Sequence, residues 1–463
     1  MEKVKGQGFI DDYDWGLYPK AENFLKKQLN IFLRNHSFAR QLSNKIEKQT
    51  STKLFDWIDH IKLPNKKVDD ELLKKLEFTE DKKVDAPYGT RIFKHSKTFF
   101  FPILLYEGDD TEIALKPEDL EHFHKKFGKE NKIQGKKYSC YRKLEVKKES
   151  NYILNAVERR GYSGFIIDKT PLDIDEYKNA LNSFMYRKRN FNNDGNGMLE
   201  IMRLIKNLNK KLDKSRVADA FFRAERIYWE KRNKAGKIQK RLQDEFGLGW
   251  GNHDHHTYRS SRENFENLIN IFENLGFVCR ERFYAGEKAG WGAQILENTN
   301  CGIVIFADVD LTIDEKDTDF AHKGLRNLKK RGTVGLWIGL HGESILQSGM
   351  HHLEARFIFN KLRKNLPKYN ISFMSPFSNF KFLKQAFSIG EQWKVDKKRL
   401  ENLLKKGSIN KEQYTKFLKE GAIGSHLENL QRSQGYKGFN QNSVTAIIKA
   451  TDPRKYVAYH KGA

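Results

Sequence analysis

The sequence predicts an α+β protein built from repeated strand–helix–strand units, and three observations carry that prediction. Stretches alternating apolar and polar residues flank short segments of helical period, around 265–272 and again around 359–366. Each of these two units opens on a histidine-bearing strand. Between 171 and 246 the pattern is helical throughout, which separates the strand-rich parts from one another.

Residues 1–52 read as a polar helical segment with Phe24, Leu25, Leu29, Phe32 and Leu33 at helical spacing. A mixed α/β domain over 53–170 follows, with a strand at 57–61, a short helix at 69–76 and strand pairs within 89–106. A strand at 112–115 leads into Pro117-Glu118-Asp119, where proline and acids suit a first helical turn. Leu120, Phe123 and Phe127 form that helix's apolar face, and Gly128 stops it.

In the helical segment 171–246, turn formers crowd residues 192–197. Beyond them Val217, Phe221, Ala224, Tyr228, Ala235, Ile238 and Leu242 trace one stripe. Arg223, Arg226, Arg232, Lys234, Lys237, Lys240 and Arg241 occupy the opposite face, which reads as the solvated side of a linker helix.

The last domain spans 247–463. A strand at 250–259 is followed by Ser260 with Glu263, a capping box, and by Phe265, Leu268, Ile269 and Phe272 on one helical face ended by Gly276. Strands at 277–284, 291–297 and 302–309 complete this unit. Gly286, Gly290 and Gly292 suit tight strand turns. The second unit has a strand at 352–358, then a helix marked by Phe359, Leu362 and Leu366 and stopped by Pro367. It continues with a strand at 371–374, a charged helical insertion over 380–419 and a closing strand at 423–431.

Composition bounds the function. At 463 residues the chain is long enough for two or three domains with buried cores. No apolar N-terminal run marks a secretory signal, and the longest apolar run, 99–106, is too short to span a bilayer. Three cysteines at no metal spacing fit a reducing compartment, so the expectation is a soluble cytoplasmic protein with no membrane partner. The net charge of +25 is the footprint of a nucleic-acid binder. No nucleic-acid-binding motif accompanies it, so that partner is the rival reading and is not favoured.

The chemistry concentrates in the last third, where His255, His352 and Glu428 fall on three separate strands at long intervals. That spacing excludes a zinc finger. Two histidines and one carboxylate on one face of an octahedron are what a mononuclear iron(II) site requires, with the opposite face open. Strand alternation puts His253 on the same side as His255 and His351 on the side opposite His352. Glu354 shares the face of His352 and is read as a partner that fixes the imidazole, with an ion pair to Arg356 as its alternative. Glu428, between Leu427 and Leu430, must be metal-bound or paired with Arg432 or Lys419. Gln431 is a candidate for a substrate carboxylate. Leu340-His341-Gly342-Glu343-Ser344 fits no catalytic scaffold.

These residues resemble a known pattern. The Asp254-His255 strand, the helix ending in Leu275-Gly276-Phe277 and three further strands are similar to the βαβββ module of the vicinal oxygen chelate superfamily. Leu427-Glu428-Asn429-Leu430-Gln431-Arg432, then Gly438-Phe439 and an apolar tail through Val444, Ile447 and Ile448, resemble 4-hydroxyphenylpyruvate dioxygenase-like proteins. The resemblance implies paired βαβββ modules forming a half-open barrel. It also implies a degenerate module pair in the N-terminal region, begun by Asp59-His60-Ile61 and by Glu112-Ile113-Ala114-Leu115. His255, His352 and Glu428 would be the ligands of Fe(II) or another divalent metal, and Phe439 would pack on the substrate ring. The implied activity is an iron(II)-dependent dioxygenase taking O2 and an aromatic or related α-keto acid. The same scaffold also hosts lyases and isomerases.

Overall fold

The computed structural model describes residues 15–169, 171–439 and 451–454. Helices Pro19–Asn35 and Ser37–Thr50 lead in, and Leu25, Phe32, Leu42 and Ile46 bury their apolar stripes against the first sheet. That sheet comprises β1 (Ile58–Pro64), β2 (Thr79–Glu80), β3 (Thr90–Lys94), β4 (Ile103–Tyr106), β5 (Thr111–Leu115), β6 (Tyr141–Glu149) and β7 (Tyr152–Arg159). Their order is β2-β3-β4-β1-β5-β7-β6. The helices Asp70–Lys75 and Leu120–Phe127 follow β1 and β5, and Asp69 and Asp119 cap them by accepting a backbone N–H.

The C-terminal sheet repeats this plan. It holds β8 (His253–Arg259), β9 (Val278–Tyr284), β10 (Trp291–Asn298), β11 (Ile303–Asp310), β12 (His352–Arg356), β13 (Ser378–Phe380), β14 (Leu383–Phe387) and β17 (His426–Arg432), with β15 (Gln392–Trp393) and β16 (Ala422–Ile423) as a separate ribbon. The order is β13-β14-β17-β12-β8-β11-β10-β9. In both sheets the opening strand of one module pairs antiparallel with that of the next, as in β1 with β5 and β8 with β12. It also pairs parallel with the closing strand of its own module, as in β1 with β4 and β8 with β11. Each sheet curls around one concave face without closing, so the architecture is an α+β half-open barrel made twice.

The helical middle joins the two. Helices Ile174–Met185, Asp194–Leu208, Lys214–Lys231 and Lys234–Asp244 include the expected stripe, but it is broken where Asn233 caps the last helix by accepting from Gly236 N–H at 2.7 Å. The turn formers at 192–197 prove to be a cap and a first turn, with Asn193 accepting from Asn196 N–H. The basic face is only partly solvated: Lys234, Lys237 and Arg241 are exposed, whereas Arg223, Arg226 and Arg232 turn inward. Arg223 donates to the carbonyls of Glu118 and Arg159, Arg226 pairs with Glu118, and Arg232 donates to the carbonyls of Gln347 and Ser348. These guanidiniums connect the two barrels, which a stripe read on one helix does not reveal.

Other expectations are corrected. The Ser260/Glu263 box does not form. Glu343 instead accepts from Ser261 N–H and the Asn264 side chain ahead of the helix Phe265–Asn274. The segment 380–419 is helical only in its latter half, at Lys397–Lys405 and Lys411–Glu420. Its start forms β14, because an edge beside β17 rewards extended backbone more than helix formation does. The 371–374 strand reduces to a single bridge, Phe373 to Ser388. Pro367 does not end its helix outright but lies in a 3-10 turn. The helix Thr333–His341 is buried, its N-terminal amides at Gly332, Val334 and Gly335 bound by Asp310. His341-Gly342-Glu343-Ser344 is therefore structural: Gly342 ends this helix at φ 92°, and Ser344 Oγ donates to the Arg259 carbonyl. Cys140, Cys279 and Cys301 are free thiols, and among the described residues no helix is long and apolar enough to cross a membrane.

Candidate metal centre

The centre of the C-terminal sheet sets three chemical groups side by side. Register places His255 of β8 opposite Glu354 of β12, and Glu354 opposite Glu428 of β17. One ligand atom from each of these three lies within 4.8 Å of the others. Two residues back along β12, His352 reaches the same point. Glu354 Oε1 stands 2.5 Å from His352 Nε2 and 2.9 Å from His255 Nε2, and Glu428 Oε2 is 3.9 Å from His352 Nε2. All four side chains are buried. The mutually close set is thus His255, Glu354 and Glu428, with His352 reaching it through Glu354, which does not pair with Arg356.

Surrounding groups hold the donors in place. Asp254 faces His255 Nδ1 at 3.0 Å and is gripped by Arg356 and Arg432. Burial opposes the Asp254 charge, yet the two guanidiniums hold its carboxyl well below the ordinary range. An anionic Asp254 fixes Nδ1 as the protonated nitrogen and leaves Nε2 a free lone pair. Gln385 donates to Glu428 Oε1 at 2.9 Å, and Thr257 Oγ1 donates to Glu354 Oε1 at 3.1 Å. His351 Nδ1 faces His352 Nδ1 at 2.6 Å.

Electrostatics test whether a cation fits. Burial pushes His255 down to about 4 and His352 well below its usual value, so both imidazoles are neutral donors. Burial, followed by the neighbouring Glu428, pushes Glu354 well above the carboxylate range, and burial brings Glu428 to about 7. Glu354 Oε2 has no hydrogen-bond partner. Two buried acids side by side, one with an orphaned oxygen, flanked by neutral imidazoles, lack a positive charge. A divalent ion would supply it, and the donor set fits one.

Over the donors lies a cavity of about 80 Å³ walled by Phe283, Trp291, Phe306, Phe377, Phe387 and Phe439. Phe439 is where the resemblance implied, its ring centroid 5.4 Å from that of His255 and 4.4 Å from that of Phe306. Gln431 is elsewhere. Its Oε1 accepts from Phe359 N–H on the opposite face of β17, so it caps a helix and does not face the cavity. His253 also leaves the site, because an irregularity between β8 and β12 beside Glu354 breaks the alternation. Val444, Ile447 and Ile448 lie outside the described residues.

One residue escaped the sequence reading. Arg259 lines this cavity at 4% exposure, its Nε in an ion pair with Asp308 at 3.7 Å and its Nη1 without a hydrogen-bond partner among the described residues. Burial lowers the guanidinium to about 10 and raises Asp308 to about 7. Strand alternation from His255 through Thr257 to Arg259 was the available signal.

The N-terminal barrel shows what a lost site looks like. By register, His60, Ala114 and Asn155 stand where His255, Glu354 and Glu428 stand, and Glu112 takes the place of His352. Glu112 is neutralised by Lys62 and Lys143, each at 2.9 Å, and His60 turns to Asp59.

No family model and no curated protein matches the sequence. Among solved structures, the chain is similar to a mutant of 4-hydroxymandelate synthase from Streptomyces coelicolor, with 10% identity, TM-score 0.29, and 88% of this chain and 99% of that one covered. Methylmalonyl-CoA epimerase from Mycobacterium tuberculosis gives 11% identity, TM-score 0.22, and 40% and 89% coverage. A glyoxalase I mutant from Zea mays gives 13%, 0.17, and 22% and 43%. Strand order and module pairing show the fold itself: two half-open sheets, each built from paired βαβββ-type modules.

Proposed function

We propose that this protein is a metal-dependent enzyme whose C-terminal barrel binds one divalent ion through His255, His352 and Glu428, and that it is an iron(II) dioxygenase of an aromatic or related α-keto acid. The observation that carries the reading is one buried cavity lined by two neutral imidazoles and two acids under an aromatic roof, with His255, Glu354 and Glu428 mutually close. When bound, the ion supplies a Lewis acid for two adjacent substrate oxygens and, as iron(II), the electrons that activate O2. The chain supplies the rest. Asp254 and Gln385 orient His255 and Glu428, and the phenylalanine walls exclude water. Arg259, whose Nη1 has no partner among the described residues, is the anchor for a substrate anion.

Glu354 favours a second reading. Its Oε1 stands between the two Nε2 atoms, and if it stays as a fourth donor only two positions remain open. Two positions suffice for a chelating substrate in lyase or isomerase chemistry and leave none for O2. Anaerobically purified protein should contain about one equivalent of iron, lost in His352→Ala, and should consume O2 with an aromatic α-keto acid. Glu428→Ala should abolish that uptake while the circular dichroism spectrum stays unchanged. Turnover of the keto acid without O2 moves the assignment to the second reading; protein that binds no divalent metal ends both.

A further inference from the structure

A second, larger cavity of about 370 Å³ lies at the junction of the two barrels, apart from the metal cavity. Three groups with uncommitted donors line it, each from a different strand end. Lys116, just past β5, makes no hydrogen bond or ion pair at its ammonium among the described residues. His253, opening β8, has an unpartnered Nδ1, and Arg356, closing β12, uses only its Nε on Asp254. Burial lowers the Lys116 ammonium to about 8, with Arg356 close enough to contribute. The acids at the rim are otherwise committed, Asp59 to Arg159, Glu118 to Arg226, Asp219 to Arg223 and Glu297 to Lys437. Asp254 is held by Arg356 and Arg432, and burial favours the neutral form of Asp56. Among these polar groups stand aromatic walls, including Phe99, Phe165 and Trp250, and the Trp250 Nε1–H, 1% exposed as a residue, also lacks an acceptor among the described residues.

Crowded donors without an acceptor describe the receptor of an anion. We infer that the inter-barrel cavity is a second binding site, for a small carboxylate with an aromatic body, in which Lys116, Arg356 and His253 take the carboxylate and the phenylalanines take the ring. The ligand bridges the two barrels, since Lys116 belongs to the first and Arg356 to the second. Its carboxylate would also share Arg356 with Asp254, the residue that orients His255, so occupancy is felt at the metal centre.

The test is calorimetric titration of benzoate into the full chain after chelation, which keeps the metal centre out of the measurement. Saturable binding to the parent protein, weakened about tenfold or more in Lys116→Gln and kept in Lys116→Arg and Arg259→Met, is the expected result. Binding lost in Arg259→Met but not in Lys116→Gln would place benzoate in the metal cavity and overturn the inference. So would the absence of heat at millimolar benzoate. Inorganic phosphate binding as tightly as benzoate would overturn the aromatic carboxylate as the ligand class.

Discussion

Arg259 carries the sharpest consequence at the scale of single residues. A buried guanidinium with Nη1 unsatisfied among the described residues and only a long ion pair to Asp308 at Nε is an expensive arrangement that a bound anion relieves. Arg259→Met should raise KM for a carboxylate-bearing substrate by about a hundredfold, in keeping with a lost charge-assisted bidentate contact. Metal content should be unchanged, because no donor to the ion is touched. Steady-state kinetics beside metal analysis checks this, and an unaltered KM would remove Arg259 from substrate binding. Glu354 teaches a related point. Its charge is sustained by neither Arg356 nor any other cation in contact, so among residues of one strand the neighbour in sequence was a poor guide to the partner in space.

At the scale of elements, the helix Lys214–Lys231 acts as an internal strut. Phe222 is fully buried on it and packs on Phe277 at 5.4 Å and on Tyr258 at 6.2 Å between ring centroids. Phe222→Ala should cost about 3–5 kcal/mol, measured by denaturant unfolding, because neighbours from three elements cannot all close the gap. The strand pair β1 and β5 supports a pH prediction. Burial would raise the Glu112 carboxyl, but the ammoniums of Lys143 and Lys62 hold it at about 2. A carboxyl lowered on folding stabilises above its unfolded value of about 4.3, and that stability is lost as pH falls from there towards 2. Glu112→Gln should therefore be less stable than the parent by about 1–2 kcal/mol at pH 7 and converge with it near pH 2. Parallel acid melts that never converge would show that the difference is not electrostatic.

The whole molecule raises the question of its charge. A net +25 predicts attraction to polyanions, yet Arg223, Arg226 and Arg232 face inward and the remaining lysines form no recognisable groove motif. Binding to duplex DNA should be independent of sequence and should fall steeply between low and physiological salt, as counterion release dictates. Electrophoretic mobility shifts across a salt series test this; sequence-specific binding that survives physiological salt would favour a nucleic-acid function instead. At this scale the duplication is informative as well. Two barrels share one strand plan, but only the second has all four donors at the centre among the described residues, because Ala114 and Asn155 stand in the first where the second has two acids. The first barrel's face is closed by ion pairs, leaving it as a wall of the junction cavity.

Much of this was determined by sequence alone. Periodicity located β1, β5, β8 and the strands from β9 to β12, since a half-buried strand and an amphipathic helix leave different repeats in the chain. Motif order pointed to His255, His352, Glu428 and Phe439, which the fold does bring to one cavity. Only tertiary structure decided the rest. Register across three strands put Glu354 between the imidazoles, a local irregularity turned His253 away, and β14 formed because β17 offered it an edge. The burial of the basic helix likewise depended on a second barrel whose carbonyls and acids accept its arginines. Repeats along a chain record which face of an element is apolar; which partner meets that face is set by contacts far apart in sequence, and no local pattern records them.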